Sequence, residues 1–118
     1  MDNQSKGKRG EALAEAYLVE HGYWILARRY RCQRGENDLI AQRGNTLCFC
    51  EVKARSGLRY GSGAEAVTRT KRFAATQAAM HYLMEHPHQG PLRFDVLEVD
   101  LSTGQVRHIP SAFEAVLD

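Results

Sequence analysis

Between Gly35 and Arg55 the chain reads GENDLIAQRGNTLCFCEVKAR, two apolar runs joined by Gly44-Asn45, and this segment limits the possible folds most tightly. A Gly-Asn pair can take the positive φ angles of a two-residue turn, so the reading is a hairpin with strands at Asn37–Gln42 and Thr46–Ala54. With that turn Arg43 faces Thr46, Asp38 faces Glu51 and Glu36 faces Lys53. Alternation then puts Glu36, Asp38, Ile40, Phe49, Glu51 and Lys53 on one face and Leu39, Ala41, Cys48, Cys50 and Val52 on the other. Both faces are largely apolar, which predicts a central hairpin covered on both sides.

The remaining segments supply that cover. A chain of 118 residues encloses one hydrophobic core, not two, so a single domain 1–118 is expected. Ser5 caps a predicted helix running to about His21, where Gly22 supplies the stop. Tyr23–Ala27 is an apolar strand. Beyond the hairpin a glycine-rich loop, Gly57–Gly63, leads into a second helix over Ala64–Glu85, which ends before His86-Pro87 because a residue preceding proline disfavours helix. Arg93–Leu101 alternates as a strand, Ser102–Gln105 turns the chain, Val106–Ile109 forms a short strand, and one helical turn ends it. The predicted fold is α/β, in the order α-β-β-β-α-β, with a mixed central sheet flanked by helices and parallel pairing across the long-helix crossover.

Composition narrows the class. A hydrophobic fraction of 43% without any run of membrane-span length argues for a soluble globular domain. The basic N-terminus leads into a pattern containing Glu11 and Glu15 instead of a signal core, and three cysteines suit a reducing cytoplasm better than a disulfide scaffold. The net charge of +2 identifies no partner, but its distribution is uneven: bases crowd the first third and return at Lys53, Arg55, Arg59, Arg69, Lys71 and Arg72. With Tyr60, the residues Arg55, Arg59, Lys71 and Arg72 are candidates for holding a nucleic-acid backbone, against the plain alternative of solvated polar faces.

Two carboxylates facing one another across a hairpin have Cβ atoms ~4.5–5.5 Å apart and destabilise it unless compensated. A divalent cation compensates, since Mg²⁺ takes oxygen ligands and is commonly held by one or two carboxylates plus waters. Lys53, on the face of Glu51, then stabilises developing phosphorane charge or orients an attacking water. The alternative is an ion-pair cluster in which Lys53 and Arg55 neutralise Glu36, Asp38 and Glu51. Glu11 bears on the choice: with Ala14 and Leu18 at i+3 and i+7 it lies on the apolar stripe of the first helix and needs a partner. Arg28 or Arg93 is the ordinary partner, and the metal–water cluster the functional one.

The stretches GEALAEAYLVEHGYWILARRYRCQRGENDLIA, FCEVKARSG and RFDVLEVD together resemble the YraN-like family of small bacterial proteins over almost the whole chain. That family in turn resembles the restriction-endonuclease-like nucleases, especially Holliday-junction resolvases, which carry an Asp followed by Glu-x-Lys on the next strand. The resemblance implies Asp38 and Glu51 as ligands of Mg²⁺ or Mn²⁺, the Val52 carbonyl as a third, Lys53 as the catalytic lysine, and Glu11 as an outer-shell or second-metal carboxylate. It also implies a DNA partner and a homodimer able to cut two strands. The family pattern usually has Ile in place of Asn37 and Val in place of Cys50, both expected on the face away from the acids.

Other motifs carry less. Cys48-x-Cys50 lacks a second pair or a His-x₃-His for zinc, and the glycines at 57, 61 and 63 match no phosphate or dinucleotide loop. Three functions stay open: a metal-dependent nuclease, a nucleic-acid-binding module without turnover, and a structural adaptor whose acids form ion pairs. Intact Asp38, Glu51 and Lys53 favour the first.

Overall fold

The computed structural model describes residues 3–57 and 67–117. The elements run α1 Asn3–Glu20, β1 Trp24–Cys32, β2 Gly35–Arg43, β3 Thr46–Arg55, α2 Arg69–Glu85, β4 Leu92–Asp100 and β5 Val106–Phe113. The hairpin has the expected register, from Arg43↔Thr46 to Leu39↔Cys50. Gly44 alone of the turn pair takes a positive φ, 58°, as in turns whose first central residue is glycine. Asn45 instead ties down a neighbouring loop, donating from its side chain to the Gln89 carbonyl at 3.2 Å.

The strands form one five-stranded sheet in sequence order. β3 and β4 pair in parallel and the other neighbours antiparallel, as the crossover through α2 requires. α1 lies across β3 and β4, and α2 mainly across β2. Ala14 and Leu18 of α1 pack on Leu39, Ala41, Cys48, Cys50, Leu97 and Val99. On the opposite face Ala79 and Tyr82 of α2 pack on Ile40, Leu47 and Phe49. At about 25 cal/mol per Å², each large side chain buried in these layers contributes about 1.5–3 kcal/mol. The helices approach the sheet closely: a Cβ on Gly35 would lie within bonding range of the Ala74 carbonyl, and one on Gly10 would overlap Ala54.

Several boundaries differ from expectation for local reasons. α1 begins before Ser5, which is therefore not its cap. β1 continues to Cys32 because, as an edge strand, it takes its backbone partners from β2 and exposes Arg28 and Arg31. α2 starts only at Arg69, with Thr68 as its cap accepting from the Lys71 amide, so the predicted start at Ala64 is too early. β5 runs on to Phe113 in place of the expected final helical turn, and residues 114–117 are not helical.

The face assignment also changes at one point. Arg29 has a φ of 50° and lies between the pairs Arg28↔Leu39 and Tyr30↔Asn37. Alternation breaks there: Leu39 packs in the α1 layer, whereas Asn37, two residues earlier, donates to the Ala75 carbonyl of α2 at 3.3 Å. Asn37 therefore does not lie on the face away from α2, as strict alternation predicts. Its amide oxygen is buried without a partner. A buried orphan oxygen costs about 1–3 kcal/mol, so Asn37→Ile should stabilise the protein by about 1–2 kcal/mol, read as a higher urea midpoint at unchanged slope. A lower midpoint would contradict this account of Asn37.

Candidate metal and phosphate site

β2 and β3 part company beyond Leu39↔Cys50. The ladder pairs Asp38/Glu51 and Glu36/Lys53, expected from an unbroken hairpin, do not form: Glu36 turns to Arg31 on β1, at 3.2 Å, while β3 stays paired with β4 as far as Arg55↔Asp100. The Val52 amide, which an unbroken ladder would direct to a β2 carbonyl, donates to Asp38 Oδ2 at 2.8 Å. The Asp38 carboxylate thus sits in the gap between two strands, reached by charges from both helix layers.

Glu11 of α1 and Lys71 of α2 both act on Asp38. Burial, partly offset by the Val52 amide and helped by the charges of Glu11 and Glu36, pushes the Asp38 pKa up to about 6. Burial first, then the Asp38 charge, carries Glu51 up to about 7 against the pull of Lys71 and Lys53. Lys53 is held below the ordinary lysine range by burial and by its neighbour Lys71. The Lys71 ammonium is 3.9 Å from Glu51 Oε1; its side chain is 54% exposed and that of Glu51 only 12%.

Asp95 provides the contrast. Burial raises its pKa, yet His108, Arg93 and the Ser111 amide together hold it below the usual carboxylate range. Arg93 and His108 each approach its Oδ2 to 2.8 Å, so this acid is fully engaged in joining β4 to β5. Asp38 and Glu51 are instead left hungry for positive charge, a pattern typical of functional sites.

The donor set suits a hard cation: two partly buried carboxylates in mutual repulsion, with the adjoining Val52 backbone, meet the needs of Mg²⁺ or Mn²⁺ with waters completing the shell. Among the described residues no three His, Cys, Asp or Glu side chains cluster to hold a metal by themselves. Glu11 has a different partner from the two arginines expected: Arg29 donates to it at 2.7 Å, while Arg28 pairs with Glu15 and Arg93 with Asp95.

Of the candidate nucleic-acid contacts, Arg55 is exposed at the end of β3. Arg72 donates to the Val67 carbonyl at 2.8 Å and lies over the Phe113 ring, bracing the entry to α2. Lys71 belongs to the acidic site itself. Arg59 and Tyr60 lie outside the described residues. Cys48 and Cys50 are buried, and burial pushes their thiols up, Cys48 to about 11, as befits small apolar residues. Two residues of the site are not recognisable as such in the sequence, Arg29 and, in its actual place, Lys71. The Thr68 cap is the available signal for Lys71, because a helix starting there puts that lysine in the first turn.

Fold and site define an α/β domain whose mixed sheet opens around a partly buried pair of carboxylates. The chain belongs to UPF0102, described as an uncharacterised protein family, whose model matches residues 10–99. It is 51% identical over 111 residues to a UPF0102 protein of Frankia casuarinae, covering 91% of this chain and 94% of that one. A UPF0102 protein of Geobacter metallireducens is 41% identical over 117 residues (97% and 96%), and one of Legionella pneumophila 37% over 114 (95% and 97%). No helix among the described residues is long and apolar enough to cross a membrane.

The raised carboxylates give a signed pH dependence. With folded pKa values of about 6 and 7 against ordinary values of 3.8 and 4.5, the unfolded chain ionises first. The pair therefore costs little at pH 4, and its penalty grows as pH rises to about 7. In chelator, Asp38→Asn should match wild-type stability at pH 4 and exceed it at pH 8 by on the order of 2 kcal/mol, since a tenfold change in proton affinity is worth about 1.4 kcal/mol. Denaturant titrations at both pH values check this; a difference independent of pH would contradict the repulsion.

Proposed function

We propose that this protein is a metal-dependent endonuclease of the restriction-endonuclease-like type that hydrolyses phosphodiester bonds in structured or branched DNA. The observation that carries the reading is the parting of β2 and β3 beyond Leu39↔Cys50, with Asp38 in the gap, Glu51 beside it and lysines on the neighbouring strand and helix. Asp38 and Glu51, with the Val52 carbonyl, would hold Mg²⁺ or Mn²⁺. Bound there, the ion would supply Lewis acidity and lower the pKa of a water.

In the reaction the oxygen of a water bonds to phosphorus, one phosphorus–oxygen ester bond breaks, and the displaced alkoxide leaves with a proton from that water. Lys53 stabilises the negative charge that develops on the phosphoryl oxygens, in a half-buried setting where such an interaction is worth more than in water. The Val52 amide keeps the Asp38 carboxylate oriented at 2.8 Å without reorganisation during the step. Glu11, fixed by Arg29, contributes negative charge behind Asp38 and favours cation uptake. Arg55, exposed at the end of β3, adds backbone affinity. Such contacts position DNA without reading sequence. A nuclease acting on branched DNA would work as a homodimer, which brings two such sites to the two strands.

Labelled junction, flap, single-stranded and duplex DNA incubated with Mg²⁺ or Mn²⁺ test the reading. Cleavage of at least one substrate is expected, with a loss of about 10²–10³ in Lys53→Ala and binding nearly retained. Affinity should fall steeply with salt. Binding without cutting would make the protein a nucleic-acid-binding module, and neither would leave an adaptor built on an ion-pair cluster.

A further inference from the structure

We propose that Lys71 is a second catalytic lysine, carried into the site by α2, which exchanges its contact with Glu51 for a non-bridging oxygen of the scissile phosphate. The inference rests on the metal-dependent reading above. It starts from the entry to α2. Thr68 caps the helix by accepting from the Lys71 amide at 3.2 Å, and Arg72 locks the preceding turn by donating to the Val67 carbonyl at 2.8 Å. These two bonds fix the backbone of Lys71 while its side chain stays 54% exposed. The backbone is held in place and the ammonium is open to solvent.

The tip is 3.9 Å from Glu51 Oε1, within ion-pair range but too far for a hydrogen bond. A divalent cation on Asp38 and Glu51 removes the charge that attracts it. Lys71 also lies against Lys53, and its charge disfavours a second ammonium there. Two adjacent ammonium groups beside a bound cation form a strongly positive pocket, and the ligand that relieves it is an anion with more than one oxygen to share. A phosphodiester, with two non-bridging oxygens, meets that need. The two lysines approach from different elements, Lys53 from β3 and Lys71 from α2, so they can address different oxygens. Lys71 is thereby distinguished from Arg55, which is exposed at the far end of β3.

The test uses the full chain with Lys71→Met, with Lys71→Gln as a second variant and Lys71→Arg as the conservative one, all at pH 8. Removing a competing charge should tighten Mn²⁺, read by thermal shift, by about threefold or more. Binding of inorganic phosphate to the Mn²⁺-loaded protein should weaken about tenfold, the worth of one charge-assisted hydrogen bond. DNA cleavage should drop about 10²-fold in kcat, with the salt slope of DNA binding in Ca²⁺ reduced by no more than about one. Lys71→Arg should recover part of the phosphate binding and part of the rate. A lysine serving only as the ion-pair partner of Glu51 would leave phosphate binding to the Mn²⁺ form unchanged, which would overturn the proposal. Unaltered cleavage in Lys71→Met with Mn²⁺ bound would overturn the role of Lys71 alone. Failure of the wild type to bind Mn²⁺ would remove the metal-dependent reading and this inference together.

Discussion

The hydrogen bond from the Val52 amide to Asp38 Oδ2, at 2.8 Å, is the contact on which the site depends. A backbone amide leaving a ladder must find another acceptor or pay the cost of an orphan. Asp38 provides that acceptor, so the two central strands can separate without stranding a donor. The same bond fixes the carboxylate in the gap. One interaction therefore ends the hairpin and orients its principal acid.

The layers around the gap place further charge there. α1, packed so closely that Gly10 has no room for a side chain beside Ala54, presents Glu11 with Arg29 from one face. α2, equally close at Gly35 and Ala74, presents Lys71 from the other. Asp95 keeps β4 joined to β5 and is satisfied within that contact. Burial alone does not make a carboxylate functional; Asp38 and Glu51 differ from Asp95 in lacking close, fully committed cations.

The Gly44-Asn45 turn makes the hairpin register legible, because side-chain period and turn length together leave few alternatives. That register is enough to bring Asp38, Glu51 and Lys53 together. The departure from it is not legible. Arg29 takes a φ of 50° although arginine has no special tolerance for that region, so local propensity gives no sign of the break in alternation opposite Asp38. The partner of Glu11 is hidden for the same reason, since the twist at Arg29 lets two adjacent arginines, Arg28 and Arg29, both reach glutamates of α1. The start of α2 is obscured because Ala64, Glu65 and Ala66 favour helix as much as the residues beyond Thr68 do. Lys71 consequently reads as one base on a helix face instead of a member of the acidic site.

The central claim is that Asp38 and Glu51 form one cation site in the opening between β2 and β3. Crystals of the protein soaked in Mn²⁺ and measured for anomalous scattering test it directly. The account predicts a peak between the two carboxylates, in contact with both, with water completing the coordination shell. No peak there at saturating Mn²⁺, with both side chains ordered and the strands still parted, would contradict it.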